Sequence, residues 1–335
     1  MLLLFRNCGV LKMLSHKYAR KLFVRLPVLA PFLIATAASA MPEPEVDLLA
    51  DTAGAVPGQA VRLAIRFVIP EDSYIFWQNP GDIGQAPTIQ WTSPNSDSLG
   101  VLRFPAPERL ALDGGKWAYV LRYEPVLLSQ MSVPTEAAPG TTLQIRGQLE
   151  WAEGTPQGVQ SHRTALSLDL PIVSQGSEPE EANEEVFTEA AYSMPVPASR
   201  AKHVKLHVES RPARIVPGES AVAVIGISIK KGFHVQAHDP GAQGLIGLDL
   251  FFVPPPGVMV RDPEYPKGTS REVKYLGKVN EYVGQVILEV PLKVESTFSG
   301  GKLTGLLRYQ ACDDKTGVCF PPENVSWSLD LAVGK

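Results

Sequence analysis

Short runs in which hydrophobic and polar residues alternate set the pattern of this chain. Residues 202–209 are the clearest case, because Val204, Leu206 and Val208 fall on one side of an extended chain and polar residues fall on the other. A period of two over several residues predicts a β-strand with one buried face. Comparable runs predict further strands over residues 61–68, 88–91, 143–151, 165–172, 221–229, 247–253, 285–294, 303–309 and 325–333.

Composition favours the same fold class and leaves little room for long helices. The chain has 30 prolines and 28 glycines spread along its length, and both residues disfavour helix interiors. A chain of this length usually forms more than one hydrophobic core. We therefore predict an all-β protein made of two sandwich domains.

The two halves of the chain repeat each other. Val-Pro-Gly occurs at residues 56–58 and 216–218, and Ser-Leu-Asp-Leu occurs at residues 167–170 and 328–331. Ordered matches at a nearly constant offset indicate a duplicated domain. We place the first copy at residues 41–173 and the second at residues 200–335, joined by an acidic linker over residues 174–199. The linker is expected to be solvated, with one or two helical turns around residues 181–191.

Residues 1–40 have the features of a secretory signal peptide. They contain six basic residues and no acidic one, then an apolar run over residues 26–37 and the small residues Ala38-Ser39-Ala40. The apolar run is short for a spanning helix and holds two prolines, so we expect cleavage after Ala40 and export. Met13 is an alternative start that would give a leader of more usual length.

Loss of this leader changes the charge and the cysteine count. The mature chain would keep 25 basic against 35 acidic residues, a net charge of −10. An acidic protein is poorly suited to nucleic acid or anionic lipid, so neither is expected as a partner. Only Cys312 and Cys319 remain, and two cysteines in an exported chain predict one disulfide.

The loop between the two cysteines admits two interpretations. Residues 313–317 read Asp-Asp-Lys-Thr-Gly and favour a turn, so Cys312 and Cys319 should face each other near the tip of a hairpin-like connection. The pair is either an inert structural disulfide or a reactive one. The first copy has no cysteine at the matching place, which weakens the structural interpretation, and Lys315 favours a thiolate while Asp313 and Asp314 oppose it.

A resemblance to a known family favours the reactive interpretation. Tyr309-Gln310-Ala311-Cys312 and Cys319-Phe320-Pro321-Pro322-Glu323 resemble the signature of the N-terminal periplasmic domain of DsbD disulfide reductases. This resemblance, over residues 201–333, implies an immunoglobulin-like sandwich with a catalytic cysteine pair that passes electrons to periplasmic thiol proteins. It implies that Cys319 pairs with partners and that Cys312 resolves the mixed disulfide.

The same resemblance implies a cap over the disulfide. Residues 280–284 look like the family's cap loop, in which Tyr282 would shield the sulfurs and Glu281 would be the neighbouring acid; Tyr309 would belong to the same docking region. The alternative for Tyr282 is an ordinary aromatic at a strand end, packed on the sandwich.

The first copy resembles the N-terminal region of ScsB-like relatives of DsbD. The similarity rests on residues 76–84, Phe-Trp-Gln-Asn-Pro-Gly-Asp-Ile-Gly. The chain lacks the transmembrane and thioredoxin-like segments of those relatives, so we expect a membrane-embedded DsbD/CcdA-like electron donor as a separate partner. Periplasmic thioredoxin-like proteins would be the clients, the protein would act in the periplasm, and no cofactor or metal is expected.

A non-catalytic function is the alternative. The disulfide would then be structural, and the paired sandwiches would form a docking or copper-handling surface. His234, His238 and Met259 are the candidate copper ligands, although their spacing does not fix a metal geometry. His203 and His207 lie on the same polar face of a predicted strand, which favours a solvated surface for both.

Overall fold

The computed structural model describes residues 44–93 and 98–334. The expected signal peptide lies outside these residues. Almost all regular structure in the described chain is β-strand, and every strand predicted from the alternation pattern is present. The all-β fold class is confirmed. None of the helices in the described part is long and apolar enough to cross a membrane.

The described part of the first sandwich contains nine strands in two sheets. One sheet has the order β1-β2-β7, and the other has the order β4-β8-β3-β6-β5 with β9 paired to β8. The strands are β1 (Glu45–Ala50), β2 (Ala60–Val68), β3 (Tyr74–Gly81), β4 (Thr88–Trp91), β5 (Glu108–Ala111), β6 (Trp117–Leu121), β7 (Val126–Ser132), β8 (Thr142–Thr155) and β9 (Gly158–Pro171).

The second sandwich repeats this arrangement with more breaks. Its sheets have the orders β11-β12-β18-β15, β10-β21-β19-β14 and β16-β17-β13-β20. The strands are β10 (Val196–Pro197), β11 (Val204–Arg211), β12 (Ser220–Ile229), β13 (Phe233–Gln236), β14 (Asp249–Val253), β15 (Val258–Val260), β16 (Thr269–Val273), β17 (Gly277–Tyr282), β18 (Gln285–Val294), β19 (Gly301–Tyr309), β20 (Ala311–Asp313) and β21 (Glu323–Leu331).

Strand pairing matches between the two copies. The set β1-β2-β7 corresponds to β11-β12-β18, and β4-β8-β9 corresponds to β14-β19-β21. The long strand β8 corresponds to both β19 and β20, because it pairs with β4 over residues 147–150 and with β3 over residues 153–154, near its end. The repeated motifs in the sequence therefore reflect a repeated fold.

The segment between the copies is packed rather than solvated. Helix α1 (Glu184–Ser193) buries Phe187 and Ala190 against residues of the first sandwich. Strand β10 then pairs in parallel with β21 of the second sandwich. The acidic side chains Glu184 and Glu185 are exposed, so composition correctly indicated a polar surface but missed the apolar face of the helix.

Aromatic side chains join the two sandwiches. Phe251 of β14 lies edge-on to Trp77 and Tyr119 of the first sandwich, with ring centroids 6.2 and 5.1 Å apart. All three rings are at most 1% exposed. Asn79 donates a 2.6 Å hydrogen bond to the carbonyl of Phe252, and Arg109 forms an ion pair with Asp262. The first sandwich thus packs against β14. Strand β14 pairs with β19, and β19 directly precedes the segment that contains the cysteines.

We predict that Phe251→Ala lowers the free energy of unfolding by about 3–5 kcal/mol, because a buried aromatic is replaced by a cavity between the sandwiches. Chemical denaturation measures the change. Ile287→Ala is the control, since Ile287 is 55% exposed and its loss should change the unfolding free energy by less than about 0.5 kcal/mol. Equal effects of the two substitutions would contradict this account of the interface.

Candidate functional site

The two cysteines close a tight hairpin after β19. Their sulfurs are bonded at 2.01 Å and their Cα atoms lie 3.9 Å apart. Backbone hydrogen bonds from Asp313 to Val318 and from Phe320 to Ala311 lie on either side of the pair. Cys312 and Cys319 are therefore directly opposite residues of an antiparallel ladder. The hairpin geometry predicted from the sequence is confirmed.

The turn is held by the residues that predicted it. One carboxylate oxygen of Asp313 accepts hydrogen bonds from the backbone of Lys315 and Thr316, at 2.9 and 2.7 Å. The bonds from Thr316, followed by that from Lys315, hold the pKa of Asp313 below its usual range. Gly317 has a positive φ of 71°, which glycine adopts without steric cost. The loop is thus ordered by local chemistry.

The two cysteines lie in different environments. Cys312 is completely buried, whereas Cys319 is exposed. The residue after Cys319 anchors this side of the hairpin, since the ring of Phe320 stacks on His203 at 4.9 Å. A thiolate from another protein can therefore reach Cys319, while Cys312 is shielded by its own domain.

Strand β13 supplies the polar side chains that surround Cys312. His234 pairs in register with Cys312, and Gln236 pairs with Glu281 of β17. Because side chains alternate across a strand, these four residues share one face of the sheet. His234 and Gln236 are only 3% and 2% exposed. The face next to the disulfide is therefore polar and nearly dry.

Charged groups hold His234 from both sides. Its Nδ1 lies 2.7 Å from Asp314 Oδ1, and its Nε2 lies 3.4 Å from Glu281 Oε2. Arg271 donates to the same Glu281 oxygen at 2.9 Å. We call His234, Gln236, Arg271, Glu281 and Asp314 the polar cluster. The predicted acid Glu281 thus belongs to this cluster, although its carboxylate is committed to Arg271 and His234.

Gln236 contacts the disulfide directly. Its Nε2 donates to Cys312 Sγ at 3.2 Å and lies 4.0 Å from Cys319 Sγ. Sequence reasoning did not identify this residue, because nothing near Gln236 in the sequence marks it. Its placement depends on the pairing of β13 with β20, which joins segments far apart in the chain.

The structure does not bring Tyr282 to the sulfurs. Tyr282 pairs with Val235, so its ring lies on the core side of the sheet, opposite to Glu281 and Gln236. It is 5% exposed within the second hydrophobic core, and its hydroxyl donates to the carbonyl of Pro266 at 2.6 Å. Burial raises the pKa of this phenol. The geometry favours the alternative of a packed aromatic over a cap.

Tyr309 is also displaced from the expected docking surface. Its side chain is fully buried in the second core, and its hydroxyl donates to the carboxylate of Glu323. Burial, followed by this contact with Glu323, raises the pKa of the Tyr309 phenol. A partner cannot contact a side chain that the domain encloses, so Tyr309 supports the base of the hairpin instead.

The residues considered for copper lie apart. His234 is engaged by the polar cluster, while His238 stacks on Tyr265 at 3.7 Å and approaches the carbonyl of Leu248. Met259 is 55% exposed on strand β15, which belongs to a different sheet. Among the described residues, no group of three or more histidine, cysteine or acidic side chains has the arrangement of a metal site.

The first copy fills the equivalent place with apolar residues. There Tyr74 pairs with Gly154 where His234 pairs with Cys312, and Phe76 pairs with Val120 where Gln236 pairs with Glu281. Phe76 and Val120 are fully buried in a small apolar cluster. A side chain at Gly154 would collide with the ring of Tyr74. The scaffold therefore stands without either the disulfide or a polar cluster.

Comparison with known families and structures agrees with this geometry. Residues 206–330 match the family described as thiol:disulfide interchange protein DsbD, N-terminal. The match covers most of the second sandwich and both cysteines, and it confirms the resemblance inferred from the sequence. No curated protein matches the chain.

Two solved structures are similar to this chain, and the first of them shows the same fold. The N-terminal periplasmic domain of ScsB from Proteus mirabilis is 15% identical, with 87% of this chain and 94% of that chain covered and a TM-score of 0.50. The Neisseria meningitidis DsbD N-terminal domain in the reduced form is 18% identical, covering 40% of this chain and 89% of that one, with a TM-score of 0.25.

We predict that the double substitution Cys312→Ala/Cys319→Ala leaves both sandwiches folded. Closure of so short a loop contributes roughly 2–3 kcal/mol at most, and the first copy folds the same way without cysteines. Circular dichroism and chemical denaturation measure the result. An unfolded second sandwich at room temperature would show that the disulfide is essential to the fold.

We predict that Tyr282→Ala destabilises the protein by about 1–3 kcal/mol, because a packed side chain and its hydrogen bond are lost. The rate at which a small alkylating agent modifies the reduced thiols should stay unchanged. Val283→Ala is the matched control. Val283 is the next residue in the chain and is 53% exposed, so its truncation should change neither the stability nor the alkylation rate. Faster alkylation in Tyr282→Ala with an unchanged melting temperature would instead support the hypothesis that Tyr282 caps the disulfide.

Proposed function

We propose that this chain, whose residues 206–330 match the DsbD N-terminal domain, carries out thiol:disulfide interchange through Cys312 and Cys319 in the periplasm. The observation that carries the proposal is the asymmetry of the disulfide: one cysteine is exposed, and the other is buried beside a polar cluster that the cysteine-free copy lacks. A purely structural disulfide requires neither feature.

Cys319 is the sulfur that partners attack. A partner thiolate forms a bond with Cys319 Sγ, the Cys312–Cys319 bond breaks, and its electron pair leaves on Cys312 Sγ as a thiolate. A second thiolate of the partner then attacks the partner's own sulfur and releases Cys319. The partner becomes a disulfide, and this domain becomes a dithiol.

The reverse sequence delivers the electrons to a client. The Cys319 thiolate attacks an exposed client disulfide, and Cys312 resolves the resulting mixed disulfide, which re-forms the intramolecular bond. Partners must therefore present a reachable sulfur to the exposed side of the hairpin. We propose a membrane-embedded DsbD/CcdA-like donor and periplasmic thioredoxin-like clients, with export directed by residues 1–40 as a signal peptide.

The chain divides into functional parts under this proposal. Residues 200–335 form the redox domain, residues 41–173 form a sandwich without cysteines, and residues 174–199 connect them. The first sandwich supports the second through Phe251 and its aromatic neighbours. Its contribution is structural support for the strand that precedes the hairpin, rather than chemistry of its own.

A trapping experiment tests the proposal. In Cys312→Ser the exposed Cys319 remains without its resolving partner, so mixed disulfides with periplasmic proteins should accumulate and be identified by mass spectrometry. In the matched variant Cys319→Ser only the buried Cys312 remains, and trapping should fall strongly. Failure of both variants to trap any protein, or equal trapping by both, would contradict the assigned roles.

A further inference from the structure

The amide of Gln236 is placed to act on the reacting sulfurs. Its Nε2 lies 3.2 Å from Cys312 Sγ, and both residues are at most 2% exposed. Its own backbone is fixed, since Gln236 N donates to the carbonyl of Gln310 and Gln236 O accepts from Leu248 N. The donor is therefore held in position by the sheet before any reaction begins.

The other end of the same amide has no partner. Gln236 Oε1 is buried and accepts no hydrogen bond within the described part of the chain. A buried unpaired acceptor destabilises the folded state. In the first copy the equivalent residue is Phe76, fully buried in an apolar cluster, so the fold itself does not require an amide here. The polar residue has a cost to stability that an apolar one avoids.

We propose that Gln236 is a catalytic residue whose Nε2–H group stabilises the thiolate that forms on Cys312 Sγ. The inference rests on the proposed function. When a partner thiolate bonds to Cys319 Sγ, the electron pair of the broken disulfide bond moves to Cys312 Sγ. The amide already points at this atom, so no group has to reorganise as the negative charge develops.

The hydrogen bond strengthens as the reaction proceeds. A sulfur in a neutral disulfide accepts hydrogen bonds weakly, whereas a thiolate carries a full charge, and charge-assisted bonds are about twice as strong as neutral ones. The buried setting increases the difference, because little water competes for the sulfur. An interaction that is stronger in the product of bond breaking than in the disulfide lowers the barrier to exchange.

The charges around the site explain why a neutral donor is useful. The carboxylates of Glu281 and Asp314 lie on the same side of the sheet and disfavour a nearby thiolate. Arg271 is paired with Glu281 at 2.9 Å, and His234 lies between the two carboxylates. The amide of Gln236 is the group that contacts the sulfurs, and it needs no change of protonation to donate.

Titration of Cys312 tests the proposal directly. In a Cys319→Ser background, the ultraviolet absorbance of the thiolate reports the pKa of the single thiol Cys312. Gln236→Leu and Gln236→Met remove the donor at similar size, and each should raise that pKa by about one unit, as expected for the loss of a hydrogen bond to a charged group. With both cysteines present, reduction by dithiothreitol should become several-fold slower, because a less acidic thiol leaves more slowly.

Gln310→Met is the matched control. Gln310 is also a glutamine beside the hairpin, but it bonds to Ile246 N and to the carbonyl of Phe320 and does not contact a sulfur. The pKa of Cys312 should stay unchanged in this variant even where the melting temperature falls. Using two replacements of Gln236 keeps the test valid if one of them fails to fold.

A purely structural role gives a different result. If Gln236→Leu and Gln236→Met change the melting temperature but leave the Cys312 pKa and the reduction rate as in the parent, the proposal is overturned. The titration does not depend on finding a partner. Loss of trapping in the previous experiment, together with a raised pKa here, would therefore refute the proposed exchange while leaving the hydrogen bond established.

Discussion

Strand β13 pairs with β17 on one side and with β20 on the other, and this double pairing determines what surrounds the disulfide. It places His234 opposite Cys312 and Gln236 opposite Glu281. It also sends Val235 and the aromatic ring of Tyr282 to the opposite, apolar face. One short strand thus separates the hydrophobic core from the polar face that contacts the buried sulfur.

The duplicated chain shows which features the fold requires. Both copies need the same strand pairings and a packed apolar core, and both have them. Only the second copy buries polar side chains next to a disulfide, whereas the first fills that place with Phe76 and Val120. Since burying polar groups costs stability, their presence in one copy alone points to chemistry rather than to folding.

Much of the fold follows from local patterns, and the site follows only in part. Alternation located many of the strands, although not β13, β17 and β20, which surround the disulfide. Turn residues correctly paired Cys312 with Cys319. The contact of Gln236 with the sulfur depends on pairing between distant segments, which no local pattern contains. The sequence left Tyr282 either as a cap or as a packed aromatic, because no local pattern fixes the register of β17, and one residue of register reverses the face of every side chain. The acidic composition of the linker did not indicate the apolar helix face that contains Phe187.

The reduction potential of the Cys312–Cys319 pair distinguishes a disulfide that exchanges with partners from a structural one. It is measured by equilibrating the protein with glutathione buffers of known potential and quantifying the free thiols. We expect a potential above about −300 mV, in the range of disulfides that exchange with partners, and rapid alkylation of Cys319 in the folded reduced protein. A potential well below that value, with thiols that stay unreactive while the protein is folded, would show that the disulfide is structural.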